Sequence, residues 1–379
     1  MGDHLKLWIQ PDEVPWGTLR NGAWAKAFLE PMWQRGTSAY IANADVQLCA
    51  VGVRDELLPC TINDGVTENT WTVSAFNQYV TYAIEELREL DNAALRVGLH
   101  ASLLGLGGVL RAGRVDRCVW VDNWLLSTNL HPQLSDEELA ALHGTMLDKH
   151  PTHAIGWRSV HTWRDDPLRG QLERLGYLCI PSRSCWMFDP ADARHMGARD
   201  LKHDRRCLRR GGYTVLGPGQ LERGDIVRLR ELYNRLYLDK YSLHNPQFTE
   251  AFVENAVNGA LQVYALRSAA GSIDGVVGFF ERAGFMTTPL FGWDTHQPVK
   301  LGLYRMLSWV LVEQAQARGL VLHQSAGAAS FKAQRRAEPA MEVSAVYVAH
   351  LPARTRLAWR LLHDALWKIA VPLVQRQEL

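Results

Sequence analysis

Cysteine is sparse and scattered. Six occur in 379 residues: Cys49, Cys60, Cys118, Cys179, Cys185 and Cys207. No two have CxxC spacing and none sits in a His cluster at zinc spacing. Neither a disulfide framework nor a metal site is expected, and a reducing, cytoplasmic setting fits. Net charge is equally slight, at +1, which argues against a long nucleic acid as main partner while still allowing a local basic patch. The N-terminus, MGDHLKLWIQPDE, has no basic-then-apolar signal pattern. Lys6 stands where a myristoylation motif wants Ser or Thr. No apolar run reaches membrane-spanning length, so no transmembrane segment is expected. Ser127, Ser159 and Cys185 have no partner His at readable spacing, and a hydrolase triad is not supported.

Hydrophobic residues make up 47% and charged residues 21%, an ordinary globular balance. The length exceeds one ordinary core, so two domains are expected. The 14 tryptophans read as core and groove-lining aromatics. The organising stretch runs from Phe285 to Lys332. It reads as strand, glycine turn, long helix, strand, then a small turn into another helix. Gly302 opens the helix and Gly319 closes it as a C′ glycine. Leu303, Met306, Leu307, Val310 and Leu311 form one apolar stripe. A strand running into a turn that opens a helix presents backbone N–H groups to an anion.

Elsewhere the first hundred residues read as irregular, with short strands at Tyr40–Ala44 and Leu48–Val53. Ser74 is a helix N-cap, Ser135 with Glu138 a capping box, and Asp166, Pro167 and Gly176 bracket a further helix. The stretch GLHASLLGLGGVL reads as close helix packing. Two series of elements then run in the same order. Strand 117–126, helix 135–149, strand 154–160, helix 166–175 and strand 177–188 form one. Strand 285–291, helix 301–318, strand 320–326, helix 328–337 and strand 341–349 form the other. Two copies of one α/β unit, on a mixed sheet, is the economical reading. The divisions expected are 1–190 with an irregular N-terminal extension, a basic linker 191–212, a second unit 213–350, and a C-terminal helix 351–379 docked on that second unit.

The order helix–helix–hairpin–strand–helix–strand–helix–strand resembles the GNAT acyltransferase fold, and the tandem arrangement is similar to double-GNAT proteins related to the Fem peptidoglycan ligases. Three pieces carry the resemblance: DLKHDRRCLRRGGYTV, LYNRLYLDKYSLHNPQF, and LGLYRMLSWVLVEQAQARGL with HQSAGAASFK. It covers Leu201 to Val348 well and residues 100–188 more weakly, with the first copy degenerate. It implies an N-acyltransferase that moves an acyl group from an acyl-CoA or acyl-carrier-protein thioester to a primary amine of a small molecule or amino acid. A tRNA-dependent aminoacyl transferase of the Fem type, taking aminoacyl-tRNA, is the alternative. A non-catalytic binding protein on the same scaffold is the third.

On this resemblance Gly302 falls on the first glycine of the pyrophosphate loop, Tyr304 on the second small position and Val299 on the Arg or Gln position. Leu301, Gly302, Leu303, Tyr304 and Arg305 are then the donor-binding residues. Lys332 matches a lysine near the Fem reaction centre, where its ammonium would face an oxyanion or a phosphate; otherwise it is a surface lysine. Lys240, Tyr241 and Asn245 lie in the loop that covers the acceptor in GNAT proteins, with Trp293, Gln324 and Ser325 completing the substrate set. Asp294 is either a general base facing Lys332 or a turn-forming residue. Glu281 reads as a solvated strand end, and His323 as a hydrogen-bonded core histidine.

Overall fold

The computed structural model describes residues 5–89 and 92–372. The first copy comprises β1 (Leu5–Trp8), α1 (Gly22–Arg35), β2 (Gln47–Val53), β3 (Glu56–Asp64), α2 (Tyr82–Glu86), α3 (Ala93–Ala112), β4 (Arg117–Val121), α4 (Asp136–Lys149), β5 (Ala154–His161), α5 (Pro167–Arg174) and β6 (Leu178–Phe188). Two helices, α6 (Ala193–Met196) and α7 (Arg199–Arg210), lead into the second copy. That copy comprises β7 (Thr214–Leu216), α8 (Ile226–Asn234), α9 (Glu250–Asn255), β8 (Gln262–Arg267), β9 (Ile273–Arg282), β10 (Phe285–Trp293), α10 (Leu303–Arg318), β11 (Val321–His323), α11 (Ala329–Gln334) and β12 (Glu338–Tyr347), with α12 (Ala353–Ala365) after it.

Local chemistry sets the helix ends where the sequence signals them. The Ser135 hydroxyl accepts from the Glu138 amide while the Glu138 carboxylate accepts from the Ser135 amide. Asp166 caps α5 over Pro167. Gly319, at φ 65°, closes α10, and the stripe Leu303, Met306, Leu307, Val310, Leu311 is buried throughout.

All 12 strands join one mixed sheet in the order β1-β2-β3-β4-β5-β12-β6-β11-β10-β9-β8-β7. The order is a palindrome. Exchanging each strand of one copy with its counterpart in the other (β1 with β7, through β6 with β12) gives the same list read backwards. In each copy one pair is parallel, β4 with β5 and β10 with β11. The last strands of the two copies pair antiparallel with each other at the centre, and each also pairs with the other copy's fifth strand. This is the tandem α/β arrangement expected, but as one continuous sheet with exchanged terminal strands. Helices cross the divide too, since Phe28 and Leu29 of α1 share a core with Phe252 and Val253 of α9.

Several expectations need correction. The first hundred residues are not an extension of the first copy, because β1, α1, β2 and β3 take the places that β7, α8–α9, β8 and β9 hold in the second. They escaped notice because β1 has only four residues and the β2–β3 turn is Arg54-Asp55, with Arg54 at φ 56° and no glycine to mark it. Tyr40–Ala44 is not a strand; only an isolated bridge joins Ile41 to Phe248. The basic stretch 191–212 carries a helix, α7, with Lys202, Arg206 and Arg209 exposed, as a solvated linker would, but its other face is anchored. In α7, Leu201 and Asp204 are buried, and Asp204 accepts from Arg335 (2.6 and 2.8 Å) and Arg305 (3.0 Å). The C-terminal helix docks on the first copy instead: Trp359 and Leu362 pack with Leu110, Trp120 and Ile180.

The glycine-rich α3 is not closely packed either. Gly98, Gly105 and Gly108 have open space around them, Val97 is 69% and Leu104 57% exposed, and only Gly107 and Leu110 are buried. By length and composition alone it is apolar enough to cross a membrane, which the glycines and Arg96 and His100 concealed in the bare sequence.

The exchange has a direct consequence. Residues 1–190 expressed alone would leave β5 and β6 without the strand that lies between them. We expect that fragment to show no cooperative urea transition, and co-expression with residues 191–379 to restore one. A cooperatively folded 1–190 fragment would refute the exchange.

Candidate active site

The site begins where two strands part. β10 and β11 pair only over Phe285–Thr287 and Val321–His323. Pairing of β10 with β9 slips between Thr287 and Leu290, at Pro289, and then continues to Trp293. β11 ends and its chain stays with β6 instead, the Gln324 amide donating to the Trp186 carbonyl at 2.8 Å. From Thr288 to Trp293 one backbone edge of β10 therefore has no strand partner among the described residues. A cavity of about 1320 Å³ opens there, lined from both copies.

At one end of it stands α10. Gly302 is the N-cap at φ 74°, a conformation that costs a side chain-bearing residue about 1–2 kcal/mol, and no side chain among the described residues caps the helix. The first-turn amides of Leu303, Tyr304 and Arg305 thus have no intrahelical acceptor. The Tyr304 ring packs against Phe331 (4.5 Å between centroids) and Trp293 (5.1 Å), making an aromatic wall. Arg305 is engaged with Asp204 at 3.0 Å and Asp200 at 3.5 Å.

Lys332 lies at the middle and is only 4% exposed. Its Nζ donates to the carbonyls of Gln324 (2.7 Å), Ser325 (3.0 Å) and Ala326 (2.8 Å). All three ammonium protons are used, so none remains for an oxyanion. The lysine is a clamp on a loop whose Ser325, Gly327 and Ala328 all have positive φ. Burial, then Arg183, push its pKa down to about 7, against the three carbonyls, which favour the charged form.

Beside it sits a polar cluster drawn from both copies. Arg183 of β6 pairs with Glu342 of β12 through Nε (3.0 Å) and Nη2 (3.1 Å), and also donates to the Ser127 carbonyl and the Thr128 hydroxyl. His323 accepts the Ser325 amide on Nδ1 at 3.1 Å. Its Nε2 lies 3.6 Å from Glu342, and burial holds its pKa well below the ordinary value. The neutral ring thus carries its proton on Nε2. Cys185, His323 and Glu342 bring ligand-type atoms within 4.8 Å of one another. Burial raises the Cys185 thiol to about 12, so the three stand as neutral thiol, neutral imidazole and paired carboxylate. Trp71 faces both Arg158 (4.8 Å) and Arg183 (5.4 Å).

Five buried side-chain atoms on lining residues lack a hydrogen-bond partner among the described residues: Gln78 Oε1, Tyr79 Oη, Thr288 Oγ1, His323 Nε2 and Gln324 Oε1. Each is an unsatisfied buried donor or acceptor on a residue that borders the cavity.

Of the residues read from the sequence, Gly302, Leu303, Tyr304, Arg305, Trp293, Lys240, Tyr241, Asn245, Gln324, Ser325 and Lys332 all line this cavity. Leu301 and Asp294 do not. Asp294 is no general base and does not face Lys332. Burial works against its charge, but Arg228 at 2.7 Å and Arg235 at 2.6 Å hold its carboxyl below the usual range. Asn245 supports rather than contacts: its amide donates to the Tyr237 and Ser242 carbonyls and its oxygen accepts from Trp71 Nε1. The Lys240–Asn245 loop is tied across the divide by Arg88, which donates to the Lys240 and Tyr241 carbonyls. Sequence reasoning missed Arg183, Glu342, Trp71, Gln78 and Thr288. Only the charges within strand-like runs hinted at the first two.

No family model matches the chain, and no curated protein does. Among solved structures it is similar to FemX, at 9% identity over 60% of this chain and 80% of that one, TM-score 0.46. It is similar to the C-terminal domain of a putative lysylphosphatidylglycerol synthetase from Agrobacterium fabrum, at 12% identity over 61% and 79%, TM-score 0.45. A tandem GNAT protein from the clavulanic acid biosynthesis pathway matches at 11% identity over 90% and 98%, TM-score 0.40.

Removing the clamp tests the account of Lys332. Lys332→Met strands three carbonyls, and we expect a loss of roughly 2–3 kcal/mol in urea unfolding at pH 7. The pH dependence has a defined sign. With a folded pKa of about 7, below the ~10.4 of a free lysine, the unfolded chain binds the extra proton between those values. Wild-type stability should therefore rise relative to Lys332→Met between pH 7 and ~10. A flat profile over that window, with any fall confined to pH above ~10, would mean that the carbonyls win and the lysine stays charged.

Proposed function

We propose that the chain is an N-acyltransferase that moves an acyl group from a phosphopantetheine thioester, as acyl-CoA or acyl-carrier protein, to a primary amine of a small molecule or amino acid. One observation carries this reading. An unpartnered strand edge, Thr288–Trp293, and an uncapped helix N-terminus, Leu303–Arg305, open into the same cavity. An arm containing amides can pair with the first as an added strand, and its phosphate can sit on the second. Basic residues support it from the side: α7 packs beside Gly302 through Cys207 and exposes Lys202, Arg206 and Arg209.

In the reaction the amine nitrogen attacks the thioester carbonyl carbon and forms the C–N bond. Amide N–H groups on the open β10 edge meet the oxygen as it becomes an oxyanion. The C–S bond then breaks, and the sulfur leaves as a thiol after taking the proton that the amine gives up. Lys332 acts here as a positioning residue, keeping Gln324 and Ser325 at the cleft. Catalysis is mostly a matter of holding two substrates together.

Hydrogen exchange with mass spectrometry tests the donor site. Acyl-CoA should protect the peptides covering 288–293 and 303–306. Gly302→Ala should weaken donor binding about tenfold, since it strains the cap, with a smaller change in turnover. Protection by aminoacyl-tRNA alone would replace this reading with a tRNA-dependent transferase, and protection without any turnover on amines would leave a binding protein.

A further inference from the structure

The palindrome makes the asymmetric parts of the chain stand out. In the second copy β9 and β10 join through the two-residue turn Ala283-Gly284. In the first copy the equivalent strands β3 and β4 are separated by residues 65–116, which carry α2 and α3. This insertion forms one end of the cavity. Leu95, Leu99, Leu103 and Leu106 recur along one stripe of α3 and line it, with Leu366 and Ile369 from the turn after α12. Glu86 of α2 is the charged lining residue of the insertion, and Lys240 borders that end from the second copy; the α10 end carries Arg305 beside the aromatic wall and lies close to α7. The stripe remains half-exposed or exposed, and an apolar surface left open in a folded protein marks a contact yet to be made.

We propose that this compartment holds the aliphatic chain of the acyl group being transferred, so that the donor is a medium- or long-chain acyl thioester rather than an acetyl one. The inference rests on the donor reading above. The direction follows from contacts. Tyr304 at the α10 end touches Phe331, which precedes the clamp Lys332 beside the Arg183–Glu342–His323 cluster. Ser182, next to Arg183, accepts from Gln78 at 2.6 Å, and Gln78 leads into α2. A thioester arm entering at α10 and lying on β10 places its carbonyl near Thr288 and Gln324, and the chain leaves that carbonyl on the side away from sulfur, toward α3. Pockets of ~300–1,000 Å³ suffice for one drug-sized ligand, so 1320 Å³ has room for such a chain beside the arm.

Calorimetry on the full chain with acetyl-, octanoyl- and dodecanoyl-CoA, and separately with free dodecanoate, tests this. Each added methylene should tighten binding roughly three- to fourfold until the compartment fills. Leu99→Glu and Leu103→Glu should abolish that gain and leave acetyl-CoA binding unchanged. Leu104→Glu, on the outward side of the same helix, should alter neither. Acyl-CoA affinity independent of chain length overturns the compartment while leaving the donor reading intact. Dodecanoate binding that is lost in Leu103→Glu, with no CoA ester bound, upholds the compartment and sinks the CoA form of that reading. Binding to phosphatidylglycerol vesicles that Leu104→Glu abolishes and Leu103→Glu spares would make α3 a membrane-facing surface and overturn the proposal.

Discussion

The pairing of β6 with β12 is the constraint on which the rest depends. Among the described residues it is the one strand pair whose members are each other's counterparts in the two copies, and each of these strands also completes the other copy's half of the sheet. At its centre Arg183 and Glu342 are register partners as well as an ion pair. Taking two charges out of water costs several kcal/mol per ion, repaid only when geometry and further hydrogen bonds are good. Here they are: Arg183 has the Ser127 carbonyl and the Thr128 hydroxyl in addition. A pair of this kind adds little net stability, but a register slip would leave both charges buried and alone. We take its value to be specificity of the exchange.

That same pair borders the cavity, which explains why the site needs both copies. The second copy contributes the parted strands, the α10 N-terminus and the Lys332 clamp. The first contributes Trp71, Gln78, Ser182 and Arg183. The equivalent opening in the first copy is closed. Its helix α4 is capped by its own Ser135 and Glu138. The end of β4 is filled by Asp122, which is buried and paired with Arg282 at 2.7 Å and His131 at 2.8 Å. Arg282 comes from β9, so the second copy plugs the degenerate site of the first.

Buried charge recurs as the means of holding non-adjacent elements together. Asp204 in α7 accepts from Arg305 in α10 and Arg335 just after α11, which ties the segment between the copies to the two helices that flank the cavity. Lys332 does the same at shorter range, with one ammonium replacing a regular hydrogen-bond ladder for a loop of positive φ angles. Such sites are specified by what surrounds them. A lysine six residues after Ala326 carries no mark of that role in its own sequence.

Much was legible before any coordinates. The helix ends at Ser135, Asp166 and Gly319, the apolar stripe of α10 and the glycine at its start are local features, decided by hydrogen bonds and periodicities within a few residues. The start of α10, Gly302 to Arg305, follows from that local reading, as does the repeat of elements from residue 117 onward; a donor role for those residues came only from the family resemblance. What tertiary structure alone decided is long-range. β1 to β3 belong to the repeat because of pairing partners that no local pattern announces. Asp294 sits at a strand end as expected, yet two arginines from α8 and the turn after it remove it from the cavity. Arg183 and Glu342 look like ordinary charges in separate strands. Only the exchange of β6 and β12, a choice between partners of similar local propensity, places them side by side against the site.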